Sequence, residues 1–257
     1  MDLNHQIFET ESSGDTLVIL HGLFGSARNW TGIARHLSAA YKVVTVDMPN
    51  HGNSPWLDDV TYLNMAEAVG EFIGANGFSG TTVMGHSMGG KAAMVLALQR
   101  PDLIGRLIVA DIAPVPYDHG NEEFIDAMEA VDLALVQVRA DADGQLARTI
   151  DDSGLRGFFL LNLVQEGDTF SWRINLKGLK ASLPALHGFP EVPDGSLYGG
   201  PVLFLDGENS HYIMPQHEDL IRAYFPHAAI EEIEGADHWI HADQPTAVMT
   251  AIRAFMG

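Results

Sequence analysis

Val83-Met84-Gly85-His86-Ser87-Met88-Gly89-Gly90 decides how the rest of the chain is read. Before it, Thr81 to Met84 is β-branched and apolar, the make-up of a short buried strand. After it, Lys91 to Leu98 is rich in Ala, Leu and Met, which predicts a helix. Gly-x-Ser-x-Gly therefore stands where a strand turns sharply into a helix. Such a turn forces its central residue into a sparsely populated backbone conformation, and small neighbours let the chain pass. Gly85 and Gly89 supply them. The strain has a use: it lifts the Ser87 hydroxyl clear of the sheet, at a helix N-terminus whose dipole favours developing negative charge. Ser87 is the candidate nucleophile. A serine in a Gly-rich turn without this context would carry little weight.

Working outward, strands and helices alternate. Leu3 to Glu9 and Thr16 to Leu20 read as strands split by a turn at Ser13-Gly14-Asp15. His21-Gly22-Leu23-Phe24-Gly25-Ser26 is a Gly-punctuated loop, and Ser26 begins a helix to about Ala39. Lys42 to Val46 is a strand, Asp47 to Pro55 a loop, and Tyr62 to Ala75 an amphipathic helix. Arg106 to Ala110 is the next strand. This order implies a mostly parallel sheet flanked by helices. In such sheets active groups lie beyond the carboxyl ends of the strands, where His21-Gly22, Asp47, Ser87 and Asp111 all fall.

The alternation stops at Ala113-Pro114-Val115-Pro116. From Tyr117 to about Leu197 the patterns are helical: Phe124 to Val138, Leu155 to Val164 and Leu176 to Leu186. Phe170 to Ile174 is a candidate short extended piece. The segment is too long for a connection, so residues 115–197 read as a helical lid. Residues 1–114 and 198–257 form the core. Pro201 to Leu205, Gln216 to Tyr224 and Ala229 to Ile233 resume the alternation, and Asp243 caps a closing helix with Pro245 in its first turn.

Composition narrows the function. The 257 residues carry a formal charge of −20, with only 14 Lys and Arg, which disfavours nucleic acid and anionic membrane surfaces. Hydrophobic residues make up 46%, enough for a large core. With no cysteine there is no disulfide, thiolate metal site or Cys nucleophile. No apolar run approaches the roughly 18 residues of a membrane span, and no signal-peptide pattern follows Asp2. The expectation is a soluble cytoplasmic protein of undetermined oligomeric state.

A serine hydroxyl needs a base to take its proton. Of the 12 histidines, His238 follows the last strand and so shares the sheet edge with Ser87; His211, His241 and His51 are the alternatives. His86 adjoins Ser87, but the tight turn points the two side chains apart. His238 and His241 stand three apart and lack a third metal ligand, so no metal is expected. The base needs a carboxylate partner. Asp111, ending the strand after the nucleophile helix, is favoured; Asp206, in the later loop, competes. The oxyanion of an acyl-transfer intermediate needs backbone N–H donors. Met88 supplies one, and Leu23, with Phe24 behind it, the other. Phe158, Phe159, Leu163, Trp172 and Trp239 are candidates for an apolar substrate pocket. Arg173 and Lys177 are either a subsite for an anionic group or a solvated face.

Together, His21-Gly22-Leu23-Phe24-Gly25-Ser26, Asn50-His51-Gly52-Asn53-Ser54-Pro55, Gly85 to Lys91, Asp111-Ile112-Ala113-Pro114 and Gly235-Ala236-Asp237-His238-Trp239 resemble the α/β-hydrolase fold family over nearly the whole chain. They look most like its YbfF-type esterases. The resemblance implies Ser87 as nucleophile, Asp111 as acid and His238 as base. It also implies Ser210 where the wider family often places its acid. Tyr117 and Trp239 match lid aromatics, so the expected substrate-binding set is Tyr117, Phe158, Trp172, Ser210 and Trp239. Pro49 departs from the Arg that relatives commonly carry. Such enzymes cleave carboxylic esters, and in some cases acyl-CoA thioesters, without a cofactor. A perhydrolase or haloperoxidase with the same triad, and a non-catalytic receptor on the same fold, are the competing expectations.

Overall fold

The computed structural model describes residues 1–9, 15–78, 80–117 and 120–257; the expected turn at Ser13-Gly14 lies outside them. The first part of the chain runs β1 (His5–Phe8), β2 (Thr16–Leu20), a 3-10 turn (Ala27–Trp30) into α1 (Thr31–Leu37), β3 (Lys42–Val46), α2 (Tyr62–Ala75), β4 (Thr81–His86), α3 (Met88–Gln99) and β5 (Ile104–Ala110). Next come α4 (Asn121–Glu129), a 3-10 turn (Leu133–Leu135), α5 (Arg139–Leu146), α6 (Ser153–Leu160), β6 (Leu163–Glu166), β7 (Thr169–Trp172) and α7 (Leu176–His187). The chain closes with β8 (Val202–Gly207), a 3-10 turn (Pro215–His217), α8 (Glu218–Tyr224), β9 (Ala228–Ile233), α9 (Ile240–Asp243) and α10 (Pro245–Met256).

Seven strands form one sheet in the order β1-β3-β2-β4-β5-β8-β9. Only β1 pairs antiparallel; the other neighbours are parallel. Parallel strands covered on both faces read as unbroken apolar runs, as Leu17 to Leu20 of β2 do, whereas the edge strand β9 carries the exposed Glu231 and Glu232. Alternate residues of β2 serve opposite faces: Val18 and Leu20 join Val69 and Phe72 of α2, whereas Leu17 and Ile19 join Ile33 of α1 and Ile252 of α10. Each side chain of this size buried in full contributes about 1.5–3 kcal/mol.

The register aligns the strand ends. Leu20 lies opposite Gly85, Gly85 opposite Val109, Ala110 opposite Leu205 and Gly207 opposite Ile233. Whatever follows these residues therefore gathers along one edge.

Residues 120–197 depart from the sequence reading in three places, one of them α5, a helix outside the expected ones. The helix expected to reach Val164 stops at Leu160, and Leu163–Glu166 pairs antiparallel with Thr169–Trp172. Gly167, at φ 62°, makes the tight connection that L side chains resist. The helical spacing from Phe124 to Val138 also breaks, because α4 ends at Glu129 and Asp132 caps the following 3-10 turn by accepting from the Ala134 N–H. Elsewhere the residue before α10 is Gln244, Asp243 being the last of α9. Among the described residues no helix is long and apolar enough to cross a membrane.

Candidate active site

Ser87 sits between β4 and α3 at φ 51°, ψ −117°. That conformation costs a non-glycine residue about 1–3 kcal/mol and persists only where its surroundings impose it. Here they do. A Cβ on Gly85 would stand 2.1 Å from the Gly89 carbonyl oxygen, and one on Gly89 would stand 2.6 Å from the carbonyl oxygens of Leu20 and His21. The Ser87 N–H donates to Ala110 O at 3.0 Å, tying the turn to β5.

The loop after β9 brings His238 to this turn. Its Nε2 lies 3.1 Å from Ser87 Oγ, and its Nδ1 lies 2.7 Å from Asp111 Oδ2. A carboxylate accepts, so Nδ1 carries the proton and Nε2 is left as the acceptor facing the hydroxyl. Asp111 has no exposed surface and also takes a positive φ, 51°. Its Oδ1 accepts from the Gly207 N–H at 3.0 Å and its Oδ2 from the Ser210 hydroxyl at 2.6 Å. Tyr212 stacks on the His238 ring, with centroids 3.9 Å apart and planes 20° apart. His86 Nε2–H donates to His238 O at 2.8 Å; burial first, then His238 and His241, hold its pKa well below the ordinary value, so the donor is neutral.

Of the two competing carboxylates, the one that meets His238 is therefore Asp111. Asp206 neighbours it on β8, but its Oδ1 is buried with no hydrogen-bond partner among the described residues. Burial, then the charges of Asp111 and Glu232, push the Asp206 pKa up to about 7. Of the other histidines, His211 is exposed, and His241, nearby, stacks on Trp30 at 4.4 Å, its pKa lowered to about 4 by burial and then by His238.

Two buried histidines interlock the loops after β2 and β3. His21 Nδ1–H donates to Gly22 O at 2.8 Å, while its Nε2 accepts from the Met48 N–H at 2.9 Å. His51 Nδ1–H donates to Pro49 O at 2.9 Å, while its Nε2 accepts from the Phe24 N–H at 3.2 Å. Both patterns require the neutral ring, and burial lowers both pKa values, that of His51 to about 3. His51 thus occupies the Phe24 N–H, and the preceding residue, Leu23, lines the space beside Ser87 and Met88. Asp47 completes the brace, accepting from the N–H groups of Ala27 at 2.8 Å and Asn53 at 3.0 Å.

A cavity of about 330 Å³ opens at Ser87. Its apolar wall combines Phe124, Leu155, Phe158 and Phe159 with Tyr212 and Trp239. Three residues of the expected substrate-binding set are not on that wall. Ser210 is engaged with Asp111, and the Tyr117 hydroxyl donates to Tyr212 O at 2.5 Å and accepts from the Ala113 N–H at 2.9 Å. Trp172 packs against the core from β7. Leu163 is fully buried, and neither Arg173 nor Lys177 reaches the cavity. A smaller space beside Ser87, about 30 Å³, is bordered by Leu23, Tyr62, Met88 and Lys91. Lys91 is buried, its Nζ donates to His187 O at 3.2 Å and Gly188 O at 2.5 Å, and burial lowers its pKa to about 7. Sequence reading overlooked Lys91 and Tyr212. The signal for Lys91 is a lone charge in α3, otherwise uncharged and buried from Met88 to Leu98; Tyr212 leaves none.

Residues 15–245 match the sequence profile of the alpha/beta hydrolase fold. The chain belongs to the α/β-hydrolase fold family. It is an enzyme of that family, and several of its relatives carry esterase or lipase names. A Mus musculus protein named sn-1-specific diacylglycerol lipase is 40% identical, covering 100% of this chain and 85% of that protein. The Escherichia coli esterase YbfF is 35% identical over 100% of this chain and 98% of its own. Among solved structures, a marine microorganism esterase superposes with a TM-score of 0.94 at 37% identity, covering 99% of both chains.

Proposed function

We propose that this α/β-hydrolase is a serine esterase that cleaves carboxylic esters, and thioesters by the same chemistry, through an acyl-enzyme on Ser87. The observation that carries the reading is the unbroken chain from Ser87 Oγ through the His238 ring to Asp111, at 3.1 and 2.7 Å. Ser87 Oγ attacks the acyl carbon while His238 Nε2 takes its proton, and the carbonyl electron pair moves onto oxygen. The N–H groups of Leu23 and Met88 hold that oxyanion; each such donor is worth roughly 3–4 kcal/mol of barrier. Asp111 keeps the ring oriented and stabilises the imidazolium. The intermediate collapses, the C–O or C–S bond breaks, and the imidazolium protonates the leaving alcohol or thiol. Water, deprotonated by the same ring, attacks the acyl-Ser87 ester and releases the acid.

Residues 115–197 act as the cap over a core of 1–114 and 198–257. Phe158 and Trp239 belong to the substrate-binding wall. Small to medium acyl chains suit the roughly 330 Å³ chamber, and the lipase and esterase names of the relatives support an ester substrate. A panel of p-nitrophenyl esters and acyl-CoAs of graded length tests the class. Ser87→Ala should abolish turnover with the fold intact by circular dichroism; undiminished activity would overturn the reading.

A further inference from the structure

One polar side chain of the cap is spent on the loop that carries the oxyanion donor. Phe24 stands at φ 63°, in a turn closed by the Gly25 N–H donating to Gly22 O at 3.0 Å. A phenylalanine holds that conformation only where its surroundings over-determine it. Its N–H is taken by His51, as described. Its carbonyl accepts from Asn162 Nδ2–H at 2.7 Å, across 138 residues of sequence. Its ring meets Phe159 edge-on, with centroids 5.2 Å apart. His51 and Asn162 are both buried.

Asn162 is itself pinned. Its N–H donates to Phe159 O at 3.0 Å, and its carbonyl accepts from the Arg173 N–H at 2.8 Å. The same stretch reaches the neighbouring loop: Ile174 bridges to His51, and the Asn175 N–H donates to Asn50 O at 2.9 Å. The segment from Asn162 to Asn175 thus touches both loops that shape the Leu23 turn. In sequence, Asn162 is the lone polar residue of Phe158-Phe159-Leu160-Leu161-Asn162-Leu163.

We propose that Asn162 is a positioning residue for the Leu23 N–H, so that the cap completes the oxyanion site as well as walling the substrate chamber. The inference rests on the serine-esterase reading above. Without the Asn162 donor, a buried carbonyl loses its partner. Phe24 then keeps its ties to His51 and Phe159 but loses the one on its carbonyl, which lets the turn and the adjoining N–H shift. Oxyanion donors act only when held in advance where the charge will form.

The test compares full-length wild type with Asn162→Ser, which keeps a shorter donor, and Asn162→Asp, which presents oxygens to the Phe24 carbonyl. Steady-state kcat and KM on a p-nitrophenyl ester are measured with melting temperature. Affinity for a trifluoromethyl ketone, whose tetrahedral adduct places an oxyanion in the same site, is measured alongside. The expected order of kcat is wild type, then Ser, then Asp, with the Asp variant down about 10- to 100-fold. KM should barely move, and the ketone should weaken in step with kcat. A merely structural role would lower the melting temperature and raise KM, leaving ketone affinity relative to KM unchanged; that result overturns the proposal. Should the Asp variant fail to fold, the Ser variant carries the same comparison. An active Ser87→Ala enzyme would remove the underlying reading and this inference together. An inert Ser87→Ala enzyme with unchanged kcat in the Asn162 variants would remove this inference alone.

Discussion

The carboxyl edge of the sheet and the segment over it are built on opposite principles. At the edge, Ser87 and Asp111 both hold positive φ, and glycines without room for a Cβ lock the turn around Ser87. Little there can move. Over it, α4, α6 and the β6–β7 hairpin meet the edge through aromatic side chains and a few hydrogen bonds from Asn162, Ile174 and Asn175. Rigid elements suit bond-making geometry, which tolerates errors of well under an ångström; apolar side chains on the overlying helices suit the recognition of apolar groups of varying size. The two regions should therefore fail differently when mutated: the edge, together with Asn162 that braces it, in kcat, and the aromatic wall in KM and chain-length preference.

The largest expected effect lies at the edge. Asp111→Asn should lower kcat about 10⁴-fold, because the amide no longer selects the Nδ1–H tautomer. Asp206→Asn, one strand away, should stay within about tenfold of wild type, since Asp206 makes no contact with the ring. Stopped-flow kinetics on both variants decides it; the reverse ranking would move the acid to β8.

An intermediate effect is expected on the overlying wall. Phe158 packs against Trp239 on the chamber wall, with ring centroids 5.7 Å apart. Phe158→Ala should lower kcat/KM for hexanoyl and longer esters about tenfold, mainly through KM, and leave acetyl esters little changed. An equal loss for all chain lengths would mean that this wall does not read the acyl group.

The smallest effect concerns stability. Asp206 has a folded pKa of about 7, against about 4 for an ordinary carboxylate. Between those values the folded protein binds more protons than the unfolded chain, so this group's contribution to stability declines as pH rises from about 4 to 7. Above about 7 its ionisation cost is present in full. Asp206→Asn should therefore raise the melting temperature at pH 8.5 and give no gain at pH 4, by scanning calorimetry. A gain that does not grow with pH would show that the buried carboxyl costs nothing on ionising.

The core is legible because its central strands carry apolar runs that end in loops with a distinctive residue. Thr16–Leu20, Lys42–Val46 and Tyr62–Ala75 were read to the residue. The overlying segment was harder. Leu163 to Val164 continues the apolar spacing of α6, and nothing local says that Asn162 breaks it, because the partner of Asn162 lies at Phe24. Tyr117, Trp172 and Ser210 were read as substrate-binding for a similar reason. An aromatic or hydroxyl near the chemistry is equally suited to bracing it, and only the surroundings distinguish the two uses.

By itself the sequence determined the alternating fold, the strained turn at Ser87 and the histidine that follows the last strand, since these rest on backbone sterics and hydrophobic periodicity that act over a few residues. The tertiary structure decided which carboxylate meets His238, that the Phe24 N–H is spent on His51, and which aromatics face the chamber. Those outcomes depend on groups far apart along the chain competing for the same hydrogen-bond partner or the same few ångströms of space.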